Sequence, residues 1–142
     1  MHGKVAGLPP RPDLVSEREA SDLVRNMIQS GLVDTAHDLS GGGEAVALAE
    51  MALAGGIGFE YESDEIEGII STGGTVEILF GEGGASFLVA VPEERWDDLQ
   101  NALASVPYDR VGYTGGDRFR IGDLVDVSLH DLKEAYEHDL FP

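Results

Sequence analysis

The sequence predicts one layered α/β (α+β) domain, a three-layer α/β/α arrangement built around a mixed sheet. Three observations predict it. Segments of helical periodicity alternate with short apolar runs of strand length along the whole chain. The last third carries strand pairs of hairpin appearance, separated by glycine turns. And 142 residues at 42% hydrophobic composition are enough for one core and about one domain.

The elements follow in order. Residues 1–13, with Gly3, Gly7, Pro9, Pro10 and Pro12, read as an irregular lead-in from something upstream, and residues 14–142 as the domain. A first helix is expected from Ser16 to Ser30, because Ser16 and Glu19 have capping-box spacing. Ala20, Leu23, Val24, Met27 and Ile28 form its apolar stripe, and Gly31 ends it. A strand at Val33 to His37, the turn Ser40-Gly41-Gly42-Gly43 and a helix from Glu44 to Ala54 come next. That second helix is apolar on nearly every side and should be buried, with Gly55 and Gly56 stopping it.

Ile57 to Glu62 alternates as a half-buried strand with Ile57, Phe59 and Tyr61 on one face. Ser63 to Gly74 reads as an acidic surface loop, and Thr75 to Phe80 fits a short helix or a strand. Phe87 to Val91 is a strand closed by Pro92, and Glu93 to Ser105 a helix with Trp96, Leu99 and Leu103 inside. Val111 to Tyr113 and Arg118 to Ile121 read as a hairpin joined through Gly115-Gly116, followed by a strand at Leu124 to Val127. Ser128 caps a final helix carrying Leu129, Leu132, Ala135, Tyr136 and Leu140.

Charge and composition exclude several functions. Nine basic residues against 27 acidic ones give a formal charge of -18, a field that repels nucleic acid backbones. A high-salt cytoplasm and an ordinary acidic protein both account for it. Without cysteine there are no disulfides, zinc-thiolate sites or thiol nucleophiles. No run reaches the ~20 apolar residues of a membrane span, and the opening lacks a signal-peptide layout, so a cytoplasmic chain with no membrane partner is expected. Anionic ligands then have to be held by backbone amides, metal ions or a partner's basic residues.

Two segments carry the candidate chemistry. In Ala36-His37-Asp38-Leu39-Ser40-Gly41-Gly42-Gly43 a strand end, a glycine turn and a helix amino terminus follow one another. Helix amino termini offer free amides to phosphates, and glycines let the backbone come close. Asp38 there binds a nucleotide or its magnesium ion, or simply caps a tight turn; the pattern leaves both open. Leu79-Phe80-Gly81-Glu82-Gly83-Gly84 is a second glycine turn, with Glu82 either a metal ligand or a solvated acid; taken alone it reads first as an ordinary turn. Arg118 is expected to pair with local acids, and His2, His130 and His138 lack metal-ligand spacing.

A resemblance adds to this reading. Gly31-Leu-Val-Asp-Thr-Ala-His-Asp-Leu-Ser-Gly-Gly-Gly, running into Ala45-Val-Ala-Leu-Ala-Glu-Met-Ala-Leu-Ala-Gly-Gly, resembles the last domain of the phosphoribosylformylglycinamidine synthase family. Leu79-Phe80-Gly81-Glu82 before Phe87-Leu-Val-Ala-Val-Pro, the opening His2-Gly-Lys-Val-Ala-Gly-Leu-Pro-Pro, and the ending from Gly115-Gly-Asp-Arg to Val127-Ser-Leu-His-Asp-Leu extend the likeness over nearly the whole chain. The resemblance implies an aminoimidazole ribonucleotide synthetase C-terminal-domain-like fold, partly ferredoxin-like. It implies an ATP- and magnesium-dependent ligase of purine biosynthesis, in which formylglycinamide ribonucleotide becomes the amidine with ammonia from a glutaminase subunit. Most catalytic residues of that family lie in amino-terminal synthase domains outside this segment, so the chain by itself is not expected to turn over.

By the same resemblance Asp38, Ser40, Gly41, Gly42, Gly43 and Gly81 would bind the nucleotide, and Glu82 would lie at a magnesium position. Asp38, Gly81 and Glu82 should then converge on one pocket. Two departures predict a weakened site: Gly41 and Glu44 stand where the family usually has an acid and a leucine, and Ser86 lies where an arginine usually precedes the strand. The alternatives are an aminoimidazole ribonucleotide synthetase-like domain and a non-catalytic structural or assembly domain.

Overall fold

The computed structural model describes residues 11–62, 67–68 and 74–140. Helix α1 spans Leu14–Gln29, and its cap is Asp13 rather than Ser16. The Asp13 carboxylate accepts from the amides of Val15 at 3.1 Å and Ser16 at 3.3 Å, and from the Ser16 hydroxyl at 2.9 Å. A carboxylate is a stronger acceptor than a hydroxyl at the positive end of a helix, so the start moves ahead of the expected capping box. At the other end Gly31 has φ +72, and the amides of Gly31 and Leu32 donate back to Ile28 and Met27 at 3.0 and 2.9 Å. Those two bonds make a Schellman motif, which turns the chain into the strand that follows.

Strand β1, Thr35–Asp38, pairs antiparallel with β3, Phe87–Ala90, placing Asp38 opposite Phe87. Between them lie α2 (Gly43–Gly55), β2 (Phe59–Tyr61) and α3 (Thr75–Phe80), the segment whose period fitted two states. After β3 a 3-10 turn at Glu93–Arg95 leads into α4, Trp96–Ala102. Then come β4 (Gly112–Thr114), β5 (Arg118–Ile121), β6 (Val125–Ser128) and α5 (Leu129–Leu140). The Ser128 hydroxyl accepts the Asp131 amide at 3.1 Å, so the expected cap of the last helix is present. Most of the expected loop between Ser63 and Gly74 lies outside the described residues.

The two-stranded sheet is covered on both faces. Ala36 and Val89 pack with Met27 and Val33 and with Leu99 and Leu103 of the α4 segment, while Leu88 belongs to the cluster around α2. This is the expected α/β/α stack. The described residues form two sheets rather than one, and the expected mixed sheet is the second, four-stranded in the order β4-β2-β5-β6. Helix α2 shares its cluster with Phe59, Tyr61, Phe119 and Ile121 of that second sheet. An apolar circumference lets one helix serve both sheets, and small side chains (Ala45, Ala47, Ala52) let them come close.

The late hairpin is also corrected. Strand β2 lies between β4 and β5, antiparallel to the first and parallel to the second. The Gly115-Gly116 turn bonds to Gly58 instead of closing a hairpin: the Gly58 amide donates to Gly116 at 2.9 Å and the Gly115 amide to Gly58 at 2.8 Å. The hairpin is β5–β6. Its exposed face carries ion pairs, Arg118 to Asp126 at 2.6 Å and Arg120 to Glu60 at 3.6 Å, in keeping with local pairing of Arg118. No helix among the described residues is long and apolar enough to cross a membrane.

Candidate functional site

The site grows from two chain reversals that touch. At the end of β1 the Leu39 amide donates to the Ser86 carbonyl at 2.9 Å, which ties the turn after β1 to the approach of β3. The Ser40 carbonyl accepts from the Gly43 amide at 3.2 Å, closing the turn. Gly42 and Gly43 both lie in the left-handed region, at φ +87 and +69. Gly43 is buried against the other segment: a Cβ there would stand 2.7 Å from the Phe80 carbonyl carbon and 2.9 Å from the Gly81 oxygen. Gly81 in turn leaves α3 so closely that a Cβ would collide with the Glu77 carbonyl. Two backbones therefore meet where side chains would keep them apart.

Glu82 completes the contact. Its Oε1 accepts from the Gly42 amide at 3.3 Å, so a carboxylate sits at the start of α2. That position is favourable because the helix start is the positive end of its dipole. Glu44, in the first turn of α2, accepts the Tyr61 hydroxyl at 2.7 Å. Gly41 is exposed, and an added side chain there would meet open space.

Of the residues singled out in the sequence, Gly42, Gly43, Gly81 and Glu82 are brought together, and Ser40 and Gly41 lie in the same turn. Asp38 lines a neighbouring shallow hollow with Glu17, Ser21, Leu39, Ala85, Ser86 and Phe87, a set without Gly81 or Glu82. Glu17 and Ser21 are half-buried polar residues of α1. Ala85 on the rim has φ 52, an uncommon conformation for a residue with a side chain.

His37 links β1 to α2. Its Nδ1 lies 2.7 Å from the Asp38 carbonyl oxygen, and its Nε2 lies 3.2 Å from Glu50 of α2. Glu50 also accepts the Tyr136 hydroxyl at 2.8 Å, a bond that pushes the Tyr136 hydroxyl above its ordinary range. This chain of contacts joins β1, α2 and α5, and only the folded chain reveals it.

The electrostatics are one-sided. Between Arg25 and Arg95 the sequence holds no lysine or arginine, and both reversals fall inside that interval. Among the described residues no three His, Cys, Asp or Glu side chains cluster as a metal site. A magnesium ion would fit Glu82 or Asp38 only with phosphate and water as its other ligands, which is how that ion is commonly held.

Residues 1–123 match the family described as AIR synthase related protein, C-terminal domain. The phosphoribosylformylglycinamidine synthase subunit PurL of Sinorhizobium fredii strain NGR234 is 37% identical over 139 residues, covering 96% of this chain. That of Thermomicrobium roseum is 40% identical over 137 residues, covering 95%. The chain spans 18% of each of these relatives. Among solved structures, Thermotoga maritima PurL complexed with FGAR superposes with a TM-score of 0.66 at 19% identity, over 85% of this chain and 21% of that one. A structure of PurLQS from the same organism gives 0.69 at 20% identity, over 87% and 22%. At those identities the superpositions speak for the fold.

Proposed function

Because the chain belongs to the family of AIR synthase related C-terminal domains, we propose that it is the last domain of a phosphoribosylformylglycinamidine synthase subunit and forms one wall of its nucleotide site. The reaction is cytoplasmic purine biosynthesis: ATP activates the amide oxygen of formylglycinamide ribonucleotide, and glutamine-derived ammonia displaces phosphate to give the amidine. In this reading the Ser40-Gly41-Gly42-Gly43 turn and Gly81 approach the phosphates through their backbones, and Asp38 contacts the nucleotide. Glu82 supplies an oxygen for magnesium, which when bound offsets phosphate charge. The remaining synthase domains and a glutaminase subunit complete the enzyme, and this chain alone does not turn over.

One observation carries the reading. The two glycine segments meet backbone to backbone at the start of α2, with Glu82 on the Gly42 amide, an arrangement that sets a hard oxygen donor beside the glycine backbone at a helix amino terminus. The test is a calorimetric titration with magnesium-ADP in low and molar salt, beside Gly41→Asp, which the open space at that position accommodates. Binding by the natural chain supports a nucleotide subsite. Heat from the variant alone would mean a decayed turn, and silence from both would leave a structural wall.

A further inference from the structure

We propose that the open hollow beside the Gly115-Gly116 turn is a binding site for a small zwitterion, a free α-amino acid with its ammonium and carboxylate both charged. The inference is independent of the nucleotide wall and concerns the four-stranded sheet. The hollow, of about 240 Å³, is lined by Glu60 of β2, by Gly115, Gly116 and Asp117 of the turn, and by Arg118 and Arg120 of β5. Drug-sized ligands fill roughly 300–1,000 Å³, so a molecule of few heavy atoms suits it. Alternation along β5 puts Arg118 and Arg120 on one face, and the strand register sets Glu60 beside Arg120.

The internal bonds leave both signs of charge in use only in part. The Asp126 carboxylate accepts from Arg118 Nε at 2.6 Å and Arg120 Nε at 3.2 Å, and its carbonyl accepts from Arg118 Nη2 at 3.1 Å. Arg118 Nη1 and the terminal nitrogens of Arg120 donate to no other described residue. The contact of Arg120 Nη1 with Glu60, at 3.6 Å, is an ion pair too long for a hydrogen bond. Among the described residues the Asp117 carboxylate accepts no hydrogen bond. Guanidinium donors for a carboxylate and carboxylates for an ammonium therefore share one hollow. The field of the whole molecule decides the ligand class. A chain of formal charge -18 repels a plain anion, and two guanidiniums repel a plain cation at close range. A zwitterion crosses that field without net charge and meets both signs on arrival. The rim is already set, because the Gly58 amide donates to Gly116 at 2.9 Å and the Gly115 amide to Gly58 at 2.8 Å, so binding has little backbone to order.

The experiment follows amide and arginine Nε–H resonances while glycine, acetate or methylammonium is added at matched ionic strength. Each is taken to about 50 mM, because ligands of so few heavy atoms bind in the millimolar range. Glycine should shift the Gly115 and Gly116 amides and the Arg120 Nε–H saturably, and at least about tenfold more tightly than either half-ligand. Arg120→Gln and Asp117→Asn should each weaken glycine by about tenfold and leave the amide resonances of the core in place. If Arg120→Gln does not fold, Asp117→Asn, in an exposed turn, still decides. Acetate binding as tightly as glycine would make the hollow an anion site, and methylammonium doing so would make it a cation site; either result overturns the proposal. So does the absence of any saturable shift with glycine, or the natural affinity retained in Asp117→Asn.

Discussion

At Gly43 a methyl group would stand 2.7 Å from the Phe80 carbonyl carbon on a backbone at φ +69. Gly43→Ala should therefore destabilise the chain by about 2 kcal/mol, from the strained conformation and the displaced 80–82 segment together. Urea unfolding measures the loss, and a Gly42 amide shift reports the separation from Glu82. The carboxylates of two exposed ion pairs contribute to the acid response. Glu62 is held below its ordinary value of 4.5 by its bond from Arg110, and Asp126 below 3.8 by its bond from Arg118. A carboxylate depressed in the folded state contributes stability above its ordinary value and loses it as pH falls through the lower folded one. The urea midpoint should therefore drop between roughly pH 5 and pH 3, and the combined Arg110→Gln and Arg118→Gln chain should show a shallower drop. Glycine spacing made the two reversals legible in the sequence, because few other residues fit such turns. Nothing in the sequence marked Glu17 or Ser21 as neighbours of Asp38, or Glu50 as the partner of His37, since each sits on a helix face whose orientation only packing decides.

Helix α2 is the element on which both sheets depend. Leu48 is buried in the cluster that joins Leu88 of the two-stranded sheet to Phe59 and Ile121 of the four-stranded one. Leu48→Ala should cost about 3 kcal/mol, within the range for a leucine cut back in a core. Because the cavity would lie under both sheets, one cooperative unfolding transition is expected, and separate midpoints for Trp96 fluorescence and far-ultraviolet circular dichroism would contradict it. The burial of this helix was readable, since an all-apolar helix has no face to give to water. Helix α1 starts two residues ahead of Ser16 because Asp13 accepts the amides of Val15 and Ser16 and takes the Ser16 hydroxyl as well. The supposed hairpin of β4 and β5 failed for a different reason. Two short strands and a glycine turn look alike whether they pair directly or admit a third strand between them.

For the molecule as a whole, a formal charge of -18 makes self-repulsion a global term. Raising sodium chloride from about 0.1 M to about 1 M shortens the screening length from about 10 Å to about 3 Å, so the thermal midpoint at neutral pH should rise. A midpoint that falls over that range would show that the ion pairs matter more than the net repulsion. Alone, the sequence determined the α/β class, the positions of nearly every described element, the buried helix, the two glycine reversals and the family likeness. All of these are encoded by neighbours along the chain, through periodicity, capping residues and breakers. The tertiary structure decided that the described residues form two sheets, that β2 enters between β4 and β5, that Glu82 takes the Gly42 amide and that Asp38 sits beside Glu17. Those are contacts between residues far apart in sequence, such as 42 and 82 or 58 and 116, and only the packing of the core brings them within reach.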